Sequence, residues 1–388
     1  MTIRLNDLSR QNNALKSEFA EVLFSAIDGN NFILRDYVTN LESNVRGYLK
    51  AEGEVIGINS GTDGLLLGLY GAGLKPGDEV IVPSRTYIAS VATIIHLKLV
   101  PRFIDIADDL NLDAELLERE VCEFTKAIMP VHLSGHACDM SSISRIAQKY
   151  GLKIIEDAAP AFGCMYGGQH VGTHGDFGVF SLHPLKVFGV LGDGGLIVAK
   201  QLDAPFLRLF RDHGHPQPKS DENFLTFGVN SRLDNIQAGF ACVKLRLIDK
   251  WIARRRSIAE FYSRALIDSS VGSQMLKHLE NMKEDSIFFD TFSSFVLCID
   301  SPEDFSSFMI DEQSSKHRVS IETARDFPRP INSHPNLQKE LSVSAPKYLE
   351  KTEYFARRAV KVPIYPELED SEVEDIAEKM KIYFDQNN

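Results

Sequence analysis

Between Val55 and Val198 short apolar runs alternate with amphipathic stretches, and this alternation is the strongest constraint on what the chain can fold into. EVIGI (54–58), DEVIVP (78–83), VPRFIDI (100–106), KAIMPVHL (126–133), LKIIED (152–157), FGVFSL (177–182) and GLIVAK (195–200) read as strands. Helical segments lie between several of them. One begins at SGTDG (60–64), another spans ASVATIIHL (89–97), and a third, MSSISRIAQKYG (140–151), ends on its glycine. Strand, crossover helix, strand is the pattern of a mostly parallel α/β sheet.

After about position 230 the apolar period changes to about 3.6 residues. The stretch 233–266 keeps that period throughout, so it predicts one long helix serving as a connector. The tail mixes an expected strand at 288–299 with helices at 302–313 and 372–384, an α+β pattern. The expected organisation is a large α/β domain over 1–245, with an N-terminal arm at 1–20, and a smaller α+β domain over 246–388.

Composition narrows the partners. The formal net charge is −12, a poor match for nucleic acid or an anionic membrane. Cys122, Cys138, Cys164, Cys242 and Cys298 form no CxxC pair and no zinc-ligand spacing, so no metal site is expected. Scattered thiols, a polar start without an apolar signal core, and no uncharged run near ~18 residues point to a cytoplasmic protein.

Four segments carry chemistry. Ser60-Gly61-Thr62-Asp63-Gly64 lies between a strand and a helix, where free N–H groups and a positive helix end suit a phosphate; a plain helix cap is the alternative. Glu156-Asp157 ends a very apolar strand, and open α/β sheets bind ligands beyond their strand carboxyl ends. A carboxylate there can hold a protonated ring nitrogen, or merely cap a helix. Ser181-Leu182-His183-Pro184-Leu185-Lys186 places a lysine in a Gly-rich loop after a strand, where lost solvation lowers its pKa and frees a nucleophilic amine. Asn230-Ser231-Arg232 forms a turn before the long helix. An anion site, an aromatic segment, a strand-end Asp, a loop Lys and an Asn/Arg turn, in that order, are what a pyridoxal-phosphate enzyme needs.

These segments resemble the DegT/DnrJ/EryC1/StrS sugar aminotransferases, fold-type I pyridoxal-phosphate enzymes. The similar blocks include INSGTDGLLLGLYGAGLKPGDEVIVPSRTYIAS (58–90), IIEDAAPAFGCMYGGQHVGTHGDFGVFSLHPLK (154–186), LGDGG (191–195), VNSRLDNIQAG (229–239) and VPIYPEL (362–368). The resemblance implies that Lys186 is the catalytic lysine that joins the cofactor's aldehyde. Asp157 is implied as the partner of the ring nitrogen and Tyr87 as the stacked aromatic. Gly61, Thr62, Asp63 and Ser181 are implied at the phosphate, with Asn230 reaching the phosphate of a neighbouring subunit. His183, Arg232 and Asp326 are implied near the substrate.

The implied reaction moves an amino group from glutamate to a keto-sugar, nucleotide-linked, in amino-sugar biosynthesis by a homodimer with shared sites. A keto-cyclitol acceptor, a deoxysugar dehydratase and a catalytically silent regulatory member are the alternatives. The chain departs from the family where Pro160 replaces a usual Gln, Phe162 a usual His, and Asp326-Phe327-Pro328 an HYP-like motif.

Overall fold

A computed structural model describes residues 2–216, 224–314, 317–340 and 349–387. Its centre is a seven-stranded sheet of β1 (Glu54–Ile58), β2 (Glu79–Pro83), β3 (Val100–Ile104), β4 (Thr125–Ile128), β5 (Lys153–Asp157), β6 (Phe177–Ser181) and β7 (Gly195–Ala199). The spatial order is β1-β7-β6-β5-β4-β2-β3. Only β7 runs against its neighbours, so the carboxyl ends of the other six strands share one edge.

The sheet is covered on both faces, which is why its strands read as continuous apolar runs. Val55, Ile81, Ile154 and Phe180 belong to one buried cluster. Their neighbours Ile56, Val80, Val82, Ile155 and Val179 belong to another, as the two-residue alternation of a strand requires. The helix Met140–Tyr150 shows how local signals set an element. The Asp139 side chain accepts from Ser142 N at 3.1 Å, and Gly151 ends the helix with a left-handed φ of 67°.

A third buried cluster, including Phe295, Phe305, Val360, Ile376 and Met380, holds the C-terminal part together. Its sheet pairs Ala359–Val362 antiparallel with Phe295–Cys298 on one side and Ala324–Arg325 on the other. The N-terminus reaches this part, since Thr2–Ile3 pairs with Ser320–Ile321.

Three sequence expectations change. The periodic stretch 233–266 is two helices, Asn235–Leu245 and Ile248–Ala265. No Gly or Pro stands at the break; the two helices answer to different cores. Ala238 and Ala241 join the sheet's core, whereas Ile258, Ala259 and Tyr262 join the C-terminal one. The strand expected over 288–299 is two short strands, Phe288–Phe289 and Phe295–Cys298, in different sheets. The strand expected over 126–133 stops at Ile128, because Pro130 has no N–H to donate. Its path beside β5 still continues, with Asp157 N bonded to Pro130 O and His132 N to Asp157 O.

All five cysteines are free. Among the described residues no helix is long and apolar enough to cross a membrane.

Candidate active site

At the shared carboxyl edge the strands open into a cavity of about 600 Å³. Gly61, Thr62, Tyr87, Asp157, Ser181, His183, Lys186 and Asp326 line it, so one cavity gathers eight of the residues singled out in the sequence.

β1 delivers the phosphate-like turn. Ser60 caps the helix Gly61–Gly71: its Oγ accepts from Asp63 N at 3.1 Å and its carbonyl from Gly64 N at 3.1 Å. The Gly64 bond is the first of the regular helical ladder, so the cap takes one of the four free N–H groups at the helix start, that of Asp63, and those of Gly61 and Thr62 remain at the cavity wall. Gly61 packs against the end of β6, where an added Cβ would stand 3.0 Å from Ser181 Cβ. The Ser181 hydroxyl thus sits beside the positive end of the helix. Asp63 does not line the cavity.

β5 delivers Asp157, which is buried. Its Oδ2 accepts from Ser90 Oγ at 2.8 Å and its Oδ1 from Ala159 N at 3.1 Å. Burial pushes the carboxyl above its ordinary pKa, while the Ser90 and Ala159 bonds and the Lys186 charge oppose that rise. The adjacent Glu156 has a different role. Its carboxylate accepts from Gly172 N, His174 N and Gly175 N at 2.6–2.8 Å and meets His132 Nε2 at 3.1 Å. Burial would raise this pKa too, but His132 and the backbone donors hold it below the usual range. Glu156 is thereby committed to fixing the 172–175 turn, and Asp157 alone faces the cavity.

β6 delivers Lys186 through a tight loop. Lys186 N bonds to His183 O at 2.9 Å, and Val190 N returns to Leu182 O at 2.8 Å. Gly189 permits this closure, because a Cβ there would stand 2.5 Å from Pro184 O. Burial lowers the Lys186 pKa; Asp157 raises it and Lys361 lowers it further. His183 is exposed, and its Nδ1 accepts from Leu185 N at 3.3 Å.

Asn230 and Arg232 are not brought into this cavity. Asn230 is exposed beside Asp212, and Arg232 Nη1 pairs with the buried Asp212 at 2.9 Å. Asp326 lines the cavity but is itself an ion-pair partner, held between Arg85 and Lys361. Pro160 lines the wall near Asp157, whereas Phe162 is buried in the core, stacked on Tyr48 at 5.3 Å and 9°.

Ser90 and Thr86 behind Asp157, and Arg85 and Lys361 around Asp326, are site features that the sequence reading missed. For Ser90 a signal existed, since a small hydroxyl in a mostly apolar helix invites a buried acceptor. Arg85 and Lys361 are 276 positions apart, and no pattern in the chain links them.

The family model of the DegT/DnrJ/EryC1/StrS aminotransferase family matches residues 13–381. The chain belongs to this aminotransferase family. Among its relatives, the pleiotropic regulatory protein of Geobacillus stearothermophilus is 34% identical over 386 residues, 99% of each chain. The dTDP-3-amino-3,4,6-trideoxy-α-D-glucose transaminase of Streptomyces venezuelae is 32% identical, over 94% of this chain and 91% of that one. Among solved structures, NtdA of Bacillus subtilis with bound cofactor PMP superposes with a TM-score of 0.82 at 26% identity, covering 96% of this chain and 82% of that one. The expected α/β aminotransferase fold is the one found.

Proposed function

We propose that this aminotransferase binds pyridoxal phosphate in the 600 Å³ cavity and moves an amino group from an amino-acid donor, glutamate first, to a nucleotide-linked keto-sugar. The observation that carries the cofactor reading is Asp157, a buried carboxylate sharing the cavity with a half-buried, pKa-lowered Lys186. The donor set fits the cofactor. Each Asp157 oxygen accepts one hydrogen bond and keeps capacity for a ring N–H. The Gly61 and Thr62 N–H groups, with the Thr62 and Ser181 hydroxyls, form a cradle for a phosphate. The sugar acceptor rests on the transaminase relative, which is named for a dTDP-linked amino sugar.

In this reading each residue has a task. Gly61, Thr62 and Ser181 hold the phosphate, with Asp63 fixing the turn through its N–H to Ser60. Tyr87 covers the ring. Asp157 keeps the ring nitrogen protonated. The bound cofactor supplies an electron sink, so a proton on the substrate carbon becomes removable. Lys186 takes and returns that proton through Nζ, and its lowered pKa leaves more neutral amine near pH 7. His183 stands at the cavity mouth as a substrate contact.

A second copy of the chain belongs to this proposal. Phe224, Leu225 and Phe227 are 59%, 65% and 99% exposed next to Asn230, and Tyr87 is 66% exposed although it lines the cavity. A homodimer would cover this apolar surface and carry Asn230, with Arg232 beside it, to the neighbour's phosphate. The division into 1–245 and 246–388 and a cytoplasmic location are part of the same reading.

A regulatory role is the second reading, because a relative that is 34% identical over 99% of each chain carries a regulatory name. A dehydratase is disfavoured, since Lys186 is present. The test is a screen of keto-sugar nucleotides and keto-cyclitols for amine gain by mass, with glutamate and glutamine as donors. Amine gain by a sugar nucleotide supports the proposal. Gain only by cyclitols redirects the acceptor, and no gain with any acceptor favours the regulatory reading.

A further inference from the structure

The end of the cavity formed by the C-terminal part contains a charge cluster that the proposed transfer does not use. Asp326, buried at 1% exposure, is ion-paired through Oδ2 with Arg85 Nη2 and through Oδ1 with Lys361 Nζ at 2.5 Å. Arg85 is also buried, and its Nη1 donates to Leu110 O at 3.1 Å. Both cations lie against one ring: Arg85 stands 5.2 Å and Lys361 5.4 Å from the centroid of Phe327. Phe327 holds a left-handed backbone, φ 45°, where a bulky residue is strained. Such strain persists where the surroundings enforce it, and it gathers at functional sites.

Two cations share one carboxylate, so the cluster carries a net charge of about +1. Arg85 is sealed away, but the Lys361 side chain is 30% exposed and lines the cavity with Ala324, Val362 and Ile364. Asp326 is shared between two cations, so the partly exposed Lys361 head keeps attraction for a further anion. Lys361 also lies close enough to Lys186 for its charge to be felt there.

We propose that Lys361, held by Asp326 and Arg85, is a carboxylate subsite in the cavity that Lys186 also lines. A singly charged ligand matches the single excess charge. A phosphate dianion would ask for more donors than one ammonium, and the Gly61–Thr62 turn already offers such a site. Two sources supply the chemistry: a carboxylate of the amino-acid donor, or an acid group on the acceptor sugar. The subsite deepens the transaminase reading and rests on it.

The test is calorimetric binding of glutarate and of glucuronate to the cofactor-loaded wild type, Lys361→Gln and Lys361→Arg, beside release of oxo acid from glutamate. The wild type binds at least one probe. Lys361→Gln weakens that binding about tenfold or more, as expected for a lost charge-assisted bond, and Lys361→Arg largely restores it. Glutarate sensitivity assigns the subsite to the donor, and glucuronate sensitivity to the acceptor. Equal affinities in wild type and Lys361→Gln, or no binding of either probe, overturn the proposal. Should Lys361→Gln fail to fold, dimethyl glutarate answers on the wild type alone: binding as tight as that of glutarate overturns the subsite. The two readings separate cleanly. Oxo acid release without carboxylate binding removes the subsite and keeps the transaminase. Lys361-dependent binding without oxo acid release does the reverse.

Discussion

Ser90 Oγ donates a 2.8 Å hydrogen bond to Oδ2 of Asp157, and Thr86 Oγ1 lies 2.7 Å from the same Ser90 hydroxyl. The serine comes from the helix Ile88–His96 and the aspartate from the end of β5, so two separate elements fix the carboxylate that faces the cavity. Burial pushes the Asp157 pKa above its ordinary value, and the Ser90 hydrogen bond to the ionised form opposes that rise. Ser90 is therefore a positioning residue: it acts on the cofactor site only through Asp157.

Ser90→Ala tests that role. Removing a bond to the ionised form raises the Asp157 pKa further above its ordinary value. A protonated Asp157 cannot hold a ring nitrogen protonated, so activity is lost at a higher pH on the acid side. A lost hydrogen bond to a charged group, about 1.5 kcal/mol, corresponds to roughly one pH unit. The pH profile of kcat/KM for the amino donor should shift upward by that amount on its acid limb. Superimposable profiles contradict the role.

Asp157→Asn separates stability from activity. The folded-state pKa of Asp157 is raised, so the folded chain binds this proton more tightly than the unfolded one. Its contribution to stability is thus greatest below the unfolded pKa of 3.8 and falls as pH rises through the folded value. At neutral pH the cofactor-free Asp157→Asn protein should melt at a higher temperature than the wild type, with the difference shrinking toward pH 4. Amine transfer should slow by about 2–4 kcal/mol in barrier, the scale of other preorganised contacts. A lower melting temperature at pH 7 contradicts the assignment of an ionisable, costly carboxylate.

Much of this was legible in the sequence, for reasons that individual residues make plain. Each strand of the main sheet is a short apolar run with turn residues at its ends, so its place in the chain was evident. Asp157 and Ser181 were visible because they end such strands, and Lys186 because it stands in the loop that follows one. The break at Arg246–Leu247 was not visible, since both helices keep the same period and only their different cores separate them. That the strand expected over 288–299 is two strands was not visible, because Phe288–Phe289 pairs with Met165–Tyr166, 122 or more residues earlier. Asp63 looked like a phosphate ligand from its position, but Ser60 had already taken its N–H group. Arg85, Asp326 and Lys361 meet only through the tertiary fold, so none of them announced the others.

Phe162 is a departure from the family that the packing explains. It stacks on Tyr48, meets Phe180 edge-on at 5.3 Å and lies 4.4 Å from Phe188 between centroids. Phe162→His, which restores the usual family residue, would bury an imidazole among aromatic rings without a built partner. It should cost about 1–3 kcal/mol, read as a lower urea midpoint with an unchanged slope. Stability equal to or above that of the wild type would show that the aromatic packing does not require phenylalanine.

The most direct measurement is a single turnover of the protein loaded with pyridoxal phosphate, followed by the loss of its visible band and the 2-oxoglutarate formed from glutamate, in wild type and Lys186→Ala. The wild type should release one equivalent of 2-oxoglutarate per loaded site, while Lys186→Ala should remain folded and release none on the same time scale. Equal release from both proteins, or no release from the wild type, would contradict the assignment of Lys186 as the residue that moves the proton.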